Sequence, residues 1–196
     1  AIMDFSNAGN YTVCGVISNK SDAYGLVRAE QSNIPTTVVD HRQFASRDLF
    51  DVTLAEAIDK YEPALIVLAG FMRILGADFV KRYQGKILNI HPSLLPDYPG
   101  TNTHQRVLDA GEKLHGVSVH FVTEELDGGP VIAQESISIQ SCDDVESLAI
   151  KTHEKEHLLY PIVASWFTDG RLRLDGNDAF LDEQLLPVTG KQIDTS

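Results

Sequence analysis

The first half of the chain alternates short apolar runs with longer segments of helical period, and this alternation restricts the fold more than any other feature. The run ALIVLAGF (64–71) is apolar at nearly every position, so a strand formed by it needs cover on both faces. Such strands belong to parallel sheets that are wrapped by helices. We therefore predict an α/β fold with a mostly parallel, twisted sheet and helices on both faces. The predicted strands are 12–18, 36–40, 64–71 and 86–91, and the predicted helices between them are 22–31, 47–62 and 77–83.

The second half of the chain has a different sequence pattern. The segments GVSVHFVTEEL and PVIAQESISI flank an Asp-Gly-Gly turn at 127–129, which predicts an antiparallel addition to the sheet. Helices are expected at 102–112 and 143–168, and Pro161 is expected to end or kink the second of them. A length of 196 residues suits one main core, so residues 1–196 are predicted to form a single domain.

Composition and charge exclude several classes of partner. Asp and Glu number 28 against 16 Lys and Arg, which gives a net charge of −12 with no basic stripe, so nucleic acid is not expected. No window of about 18 apolar residues is present, so no membrane span is expected. Cys14 and Cys142 show no Cys-x-x-Cys spacing, which predicts neither a disulfide framework nor a zinc knuckle and suits a reducing cytoplasm. We expect small-molecule substrates and a monomer or homodimer.

The strand KILNIH (86–91) carries two polar side chains at its carboxyl end. Alternate strand residues share a face, so Asn89 and His91 point the same way as Ile87. In open parallel sheets, ligands bind at the carboxyl ends of the strands. Asn89 can donate a hydrogen bond to a developing oxyanion, and His91 can deliver a proton near neutral pH. The alternative is structural: a satisfied buried histidine beside an asparagine that ties down a loop.

Asp127 is the candidate partner of His91. A histidine that acts as a general acid must hold its proton, and a nearby carboxylate favours the charged imidazolium. Asp-Gly is also an ordinary turn signal, so a purely structural role for Asp127 is the alternative. The sequence by itself does not bring Asp127 close to His91.

The segment GFMRIL (70–75) follows an apolar strand and lies at another carboxyl end. Gly70 and the flexible Met72 suit the wall of a site. Arg73 can pair with a carboxylate, and the backbone of residues 73–75 can hydrogen-bond a flat polar ring. A strand-to-helix turn with an exposed arginine is the alternative.

The segment HEKEH (153–157) matches the H-E-x-x-H zinc motif, in which two histidines share a helix face. Glu156 falls on the inward apolar stripe of the predicted helix, whereas His153 and His157 lie to its sides. No third ligand follows at a recognised spacing, so no metal site is predicted and a zinc hydrolase is a minor alternative. An inward Glu156 suits the binding of a polyhydroxy substrate. The stripe comprises Val145, Ala149, Thr152, Leu159 and Val163.

Three segments together resemble one enzyme family. GFMRIL, NIHPSLLPDYPG and HGVSVHFVTEELDGGPVI are similar to the folate-dependent formyltransferases and look most like their glycinamide ribonucleotide members. The resemblance extends over nearly the whole chain, from SNKSDAYGL to YPIVASWFTDGRL. It implies a Rossmann-like formyltransferase fold and a metal-free step of de novo purine biosynthesis. In that step the formyl group of 10-formyltetrahydrofolate, a cosubstrate, passes to the amine of 5-phosphoribosylglycinamide.

The resemblance also implies roles for individual residues. Asn89 and protonated His91 stabilise the oxyanion, His91 delivers a proton toward the folate nitrogen, and Asp127 keeps His91 charged. Pro92 and Glu156 bind the nucleotide substrate, with Glu156 at its ribose. The residues implied in folate binding are Arg47, Met72, Arg73, Ile74, Leu75 and Asn89, with Val80 and Ile87 as walls for the pterin and the loop 122–127 beside it.

The chain departs from the family at its start. The family opens with a strand and a loop bearing glycine, serine and asparagine, which cradles the substrate phosphate at a helix N-terminus. AIMDF aligns within the helix after that loop, so we expect the strand and loop to be missing from this sequence. The rival functions are a formyltetrahydrofolate hydrolase, in which water replaces the amine, and a non-catalytic folate-binding protein.

Overall fold

The computed structural model describes residues 1–6 and 10–194 and groups their strands into three sheets. The helices are α1 (Ile2–Ser6), α2 (Tyr24–Gln31), α3 (Arg47–Asp59), α4 (Ala77–Arg82), α5 (Thr103–Asp109) and α6 (Val145–Thr168). The strands are β1 (Val16–Ser18), β2 (Thr36–Val38), β3 (Ile66–Leu68), β4 (Ile87–His91), β5 (Leu114–Phe121), β6 (Val131–Ser138), β7 (Leu172–Asp175), β8 (Asp178–Leu181), β9 (Gln184–Leu185) and β10 (Lys191–Gln192).

The largest sheet has the strand order β10-β6-β5-β4-β3. Strands β3 and β4 run parallel, and β1 and β2 form a separate parallel pair. Strand β5 runs antiparallel to both β4 and β6, and β7, β8 and β9 form a small antiparallel sheet. The predicted α/β class is therefore confirmed, with parallel pairs from the first half of the chain, an antiparallel addition from the second, and a short parallel pair of β10 with β6.

The strands are shorter than the apolar runs that predict them. The run 64–71 forms strand only at Ile66–Leu68, and the run 12–18 only at Val16–Ser18. Residues 122–130 connect β5 to β6, so the Asp-Gly-Gly sequence belongs to a longer loop rather than to a tight hairpin turn. Apolar runs predict burial, but the extent of a ladder depends on the neighbouring backbone, which the pattern does not supply.

Side-chain caps mark the start of two of the long helices. The Ser46 hydroxyl accepts a hydrogen bond from the Leu49 N–H at the start of α3. At the start of α6, Asp144 accepts from the Ser147 N–H and the Ser147 hydroxyl accepts from the Asp144 N–H. Each cap satisfies backbone donors that have no partner within the helix.

Helix α6 continues through Pro161 to Thr168, so of the two expected effects of this proline, an end or a kink, the end does not occur. A proline inside a helix removes one backbone hydrogen bond and costs about 3 kcal/mol. Leu159 and Val163, on either side of it, are fully buried in the cluster that joins α6 to the central sheet. Their packing offsets the lost bond. Val145, expected on the inward stripe, is exposed.

A tyrosine on α6 fixes the helix against the strands that carry the polar residues. The Tyr160 hydroxyl lies 2.9 Å from the carbonyl oxygen of Leu68 on β3 and 2.8 Å from that of Leu88 on β4. Full burial raises the pKa of Tyr160 well above its usual value, so it stays a hydrogen-bond donor. On the other side, α3 packs Phe50 and Ile58 against β3 and β4.

Two further features of the structure concern membrane-spanning helices and the cysteines. Among the described residues, none of the helices has the length and apolar character that crossing a membrane requires. Cys14 and Cys142 are free thiols and both are exposed.

Candidate active site

Strand β4 carries Asn89 and His91 at its carboxyl end, and Asn89 lines a cleft there. It pairs with β3 in parallel and with β5 in antiparallel register, which sets Asn89 opposite His120. His91 is 5 % exposed and Asn89 is half-buried. The alternation in KILNIH therefore predicts correctly that the two polar side chains end the strand together.

The ring of His91 is fixed by contacts on both of its nitrogens. Nε2 lies 3.0 Å from the carbonyl oxygen of Tyr98, and a carbonyl only accepts, so Nε2 carries a proton. Nδ1 faces the carboxylate of Asp127, with 3.5 Å between Nδ1 and Oδ2. With Nε2 carrying a proton, a second proton on the ring would lie at Nδ1 and face the Asp127 carboxylate.

The loop between β5 and β6 brings Asp127 to the histidine. Asp127 has a φ of 51°, a left-handed conformation that aspartate tolerates better than most residues. Its Oδ2 accepts a hydrogen bond of 2.8 Å from the Gly100 N–H. At Gly129 a Cβ would lie 1.9 Å from the carbonyl oxygen of Phe121, so only glycine allows this close approach of the loop to β5.

His120 is a site residue that the sequence did not single out. Burial lowers its pKa, so the ring is neutral, and its Nδ1 donates to the Phe121 carbonyl at 2.8 Å. Its Nε2 is therefore the acceptor for the Asn89 amide, at 3.2 Å. This contact orients Asn89 so that its NH₂ group, not its carbonyl, faces His120. The antiparallel register of β4 and β5 brings the two residues together, and the sequence alone does not show this register.

A cleft of about 70 Å³ opens beside these groups. Its walls include the predicted folate residues Arg73, Ile74, Leu75, Val80 and Asn89, together with Asp127 and the rest of the loop from Val122. Met72 is 80 % exposed and does not line the cleft. Ile87 is 1 % exposed and packs below it in the core.

The arginine of the cleft has an unsatisfied donor. The guanidinium carbon of Arg73 lies 5.1 Å from the centre of the Phe50 ring. Its Nε is buried and has no hydrogen-bond partner among the described residues. A buried donor without a partner is costly, and a polar group of a ligand in the cleft would satisfy it.

The remaining predicted residues lie in different surroundings. Pro92 directly follows His91 and is half-buried. The Glu156 side chain is 18 % exposed, and burial raises its pKa, with His153 acting in the opposite direction. Arg47 is exposed at the first turn of α3, with its Nε 3.9 Å from Asp48. None of these three lines the cleft described above.

The HEKEH segment lies on an exposed turn of α6. The His153 and His157 rings are nearly parallel, with 6.5 Å between their centres, and both are exposed. Across residues 1–6 and 10–194, no group of three or more His, Cys, Asp or Glu side chains is arranged to hold a metal ion.

The geometry combines an amide donor, an imidazole held between a carbonyl and a carboxylate, and an open cleft at the strand ends. Such an arrangement can stabilise an oxyanion and transfer a proton, which are the requirements of acyl-type group transfer. The comparisons with known proteins agree: the profile of the formyl transferase family matches residues 2–164. The chain belongs to this family.

Individual relatives are more specific. The phosphoribosylglycinamide formyltransferase of Escherichia coli is 50% identical over 183 residues, which cover 93% of this chain and 86% of that protein. The solved phosphoribosylglycinamide formyltransferase of Coxiella burnetii superposes with a TM-score of 0.93 at 50% identity, over 98% of this chain and 91% of that one. A formyltetrahydrofolate deformylase from Pseudomonas syringae is similar at 25% identity and a TM-score of 0.82, over 91% of this chain and 59% of that one.

Proposed function

We propose that this protein transfers the formyl group of 10-formyltetrahydrofolate to the amine of 5-phosphoribosylglycinamide, a step of de novo purine biosynthesis. The observation that carries the proposal is that Asn89 and Asp127 line the cleft while Nδ1 of His91 lies 3.5 Å from the Asp127 carboxylate. The 50% identity to a phosphoribosylglycinamide formyltransferase over 93% of the chain supports this choice of substrates.

The proposed chemistry uses only side chains of the site. Asn89 Nδ2 donates to the formyl oxygen, which becomes an oxyanion as the substrate amine attacks the formyl carbon. His91, protonated and stabilised by Asp127, gives the Nδ1 proton to the folate nitrogen as the bond from that nitrogen to the formyl carbon breaks. The attacking amine loses its proton to Asp127 or to water. The products are the formamide and tetrahydrofolate, and no covalent enzyme intermediate forms.

The cleft wall suits the folate. Residues 73–75 line the cleft, and the Nε of Arg73, which has no partner in the described part of the chain, can donate to a polar group of the ligand. Val80 is the apolar wall for the flat ring system. We assign Arg47 and Met72 to the exposed part of the folate, because both side chains extend into solvent outside the cleft.

The nucleotide substrate is assigned to the other side of His91. Pro92 follows the histidine directly, and the largely buried Glu156 offers a carboxylate to the ribose hydroxyls. We also propose that residues 1–196 act as one domain, as a monomer or homodimer. A cytoplasmic location is proposed because Cys14 and Cys142 are free exposed thiols, which persist in a reducing compartment.

The rival function is hydrolysis of the formylated folate, because the chain is also similar to a formyltetrahydrofolate deformylase. The test measures tetrahydrofolate release with and without phosphoribosylglycinamide. We expect release only when the nucleotide is present, together with one formylated nucleotide for each tetrahydrofolate. Release at the same rate without the nucleotide would establish the hydrolase instead.

A further inference from the structure

The His91 ring and the Asp127 carboxylate each hydrogen-bond to the backbone of one loop. The Tyr98 carbonyl accepts the hydrogen bond from His91 Nε2, at 3.0 Å. Two residues later, the Gly100 N–H donates to Asp127 Oδ2, at 2.8 Å. The distance between histidine and carboxylate therefore depends on whatever fixes residues 98–100.

An exposed arginine on α5 fixes this stretch from outside the site. Nη1 of Arg106 donates to the Pro99 carbonyl at 2.6 Å and lies 3.4 Å from the Thr101 carbonyl. The same guanidinium lies 5.4 Å from the centre of the Tyr98 ring. Arg106 thus contacts the residues on both sides of Gly100.

The conformation that these contacts hold is a strained one. Tyr98 has a φ of 55°, a left-handed conformation that is uncommon and strained for a bulky residue. Its hydroxyl donates to Glu112 Oε1 at 2.8 Å, and this hydrogen bond raises the pKa of Tyr98. The ring is therefore held at its edge by Glu112 and over its face by Arg106. These contacts act from outside, in addition to the buried Ser93 hydroxyl, which donates to the Asp97 carbonyl at 2.7 Å and lies 3.3 Å from the Tyr98 carbonyl.

We propose that Arg106 is a positioning residue for the reaction, acting through the loop 98–101 on His91 and Asp127, with Tyr98 and Glu112 as its second anchor. The expected loss of kcat rests on the proposed function, whereas the expected change in the His91 ring does not. Arg106 touches neither the cleft nor the reacting groups. Its effect is to keep Nε2 of His91 protonated and Nδ1 directed at Asp127, because displacement of the Tyr98 carbonyl removes the acceptor that selects this tautomer.

The kinetic experiment compares Arg106→Ala, Arg106→Lys and Tyr98→Phe with the wild-type protein. We expect Arg106→Ala to lower kcat about tenfold while KM for each substrate changes less than threefold, because alignment is lost and the binding surfaces are not. Arg106→Lys keeps one donor for Pro99 and should recover part of the loss. Tyr98→Phe, which removes only the bond to Glu112, should cost less than Arg106→Ala.

The matched control is Arg173→Ala. Arg173 also stacks on an aromatic ring, Phe180 at 4.3 Å, and pairs with Asp175 and Glu183, but it lies on β7 away from the site. We expect its kcat to stay within twofold of the wild type. A kcat for Arg106→Ala that matches this control would overturn the proposal.

The second readout does not need activity. The ¹⁵N shifts of the His91 ring, recorded where the ring is neutral, should show the Nε2–H tautomer in the wild type and a mixture of tautomers in Arg106→Ala. An unchanged tautomer would overturn the proposal even if kcat falls. If the wild type makes no formylated nucleotide, the proposed function fails while this readout still decides the role of Arg106. Should Arg106→Ala not fold, the same two readouts on Arg106→Lys and Tyr98→Phe decide it.

Discussion

His91 and Asp127 face each other with 3.5 Å between Nδ1 and Oδ2, and the opposite nitrogen of the same ring is bonded to the Tyr98 carbonyl. The two side chains are almost fully buried, at 6 % and 9 % exposed. Because the Nε2 proton is engaged by the Tyr98 carbonyl, the proton used in the proposed reaction is assigned to Nδ1, beside the Asp127 carboxylate.

Replacement of His91 by alanine tests this assignment. His91→Ala removes both the proton donor and part of the oxyanion stabilisation, so we expect kcat to fall by at least 10²–10³-fold. Folate binding, measured by ligand fluorescence, should stay within about threefold, because His91 does not line the cleft assigned to the folate. The control is His153→Ala, an exposed histidine on α6 that should retain wild-type turnover. Turnover by His91→Ala close to that of the control would exclude His91 from the chemistry.

The amide of Asn89 is tested by an isosteric change. Asn89→Asp keeps the shape of the side chain but has no donor for the oxyanion, and it places a second carboxylate near Asp127. We expect kcat to fall by about 10²–10³-fold, with smaller changes in KM. Asn33→Asp is the control, since Asn33 has a φ of 56° at the end of α2, where aspartate is also tolerated. A loss of less than threefold in Asn89→Asp would contradict the role of the amide.

Much of this site can be read from the sequence, and the reason for the rest is geometric. Alternation along KILNIH places Asn89 and His91 on one face at a strand end, and the structure agrees. The approach of Asp127 to His91 depends on the long loop 122–130, whose path no local pattern encodes. The sequence does not predict a role for His120, because its partner Asn89 lies on another strand. Strand register is set by the whole sheet rather than by either segment.

Helix α6, which continues through Pro161, is a second feature that local sequence patterns do not determine. Proline is the strongest local signal against a helix interior, yet α6 continues because its neighbours Leu159 and Val163 are buried against the sheet. Local propensity predicts where an element prefers to end, and tertiary packing decides whether it does. Local propensity can be read directly from the sequence, whereas tertiary packing can be read only once the fold is known.

Arg73 is predicted to act in binding rather than in chemistry. Its buried Nε lacks a partner within residues 1–6 and 10–194, so a folate group that accepts this hydrogen bond gains a charge-assisted contact. For Arg73→Gln we expect KM for the folate to rise about tenfold with kcat within threefold, because the contact is the same in ground and transition states. Arg171→Gln, which disrupts an exposed pair with Asp182, should change neither parameter. Steady-state kinetics at saturating nucleotide separate the two constants, and an unaltered KM in Arg73→Gln would place the folate elsewhere.

The buried His115 makes the folded state sensitive to acid. Burial lowers the pKa of His115 from 6.5 to about 4, with His104 and His91 adding to the shift. Above pH 6.5 the ring is neutral in both the folded and the unfolded chain, so it contributes nothing to the pH dependence. Between pH 6.5 and 4 the unfolded chain takes up a proton that the folded protein excludes. Stability should therefore fall through this window, by up to about 3 kcal/mol at pH 4.

His115→Gln isolates this contribution, because the variant lacks the titrating ring whatever its own stability. We expect urea unfolding to show a smaller loss of stability between pH 7 and pH 4.5 in His115→Gln than in the wild type, by about 2 kcal/mol. The comparison of slopes cancels the carboxylates that titrate in the same window, since both proteins carry them. His157→Gln, at an exposed position of α6, should keep the wild-type slope. Parallel pH profiles for His115→Gln and the wild type would mean that the buried ring gains its proton as readily in the folded protein as in the unfolded chain.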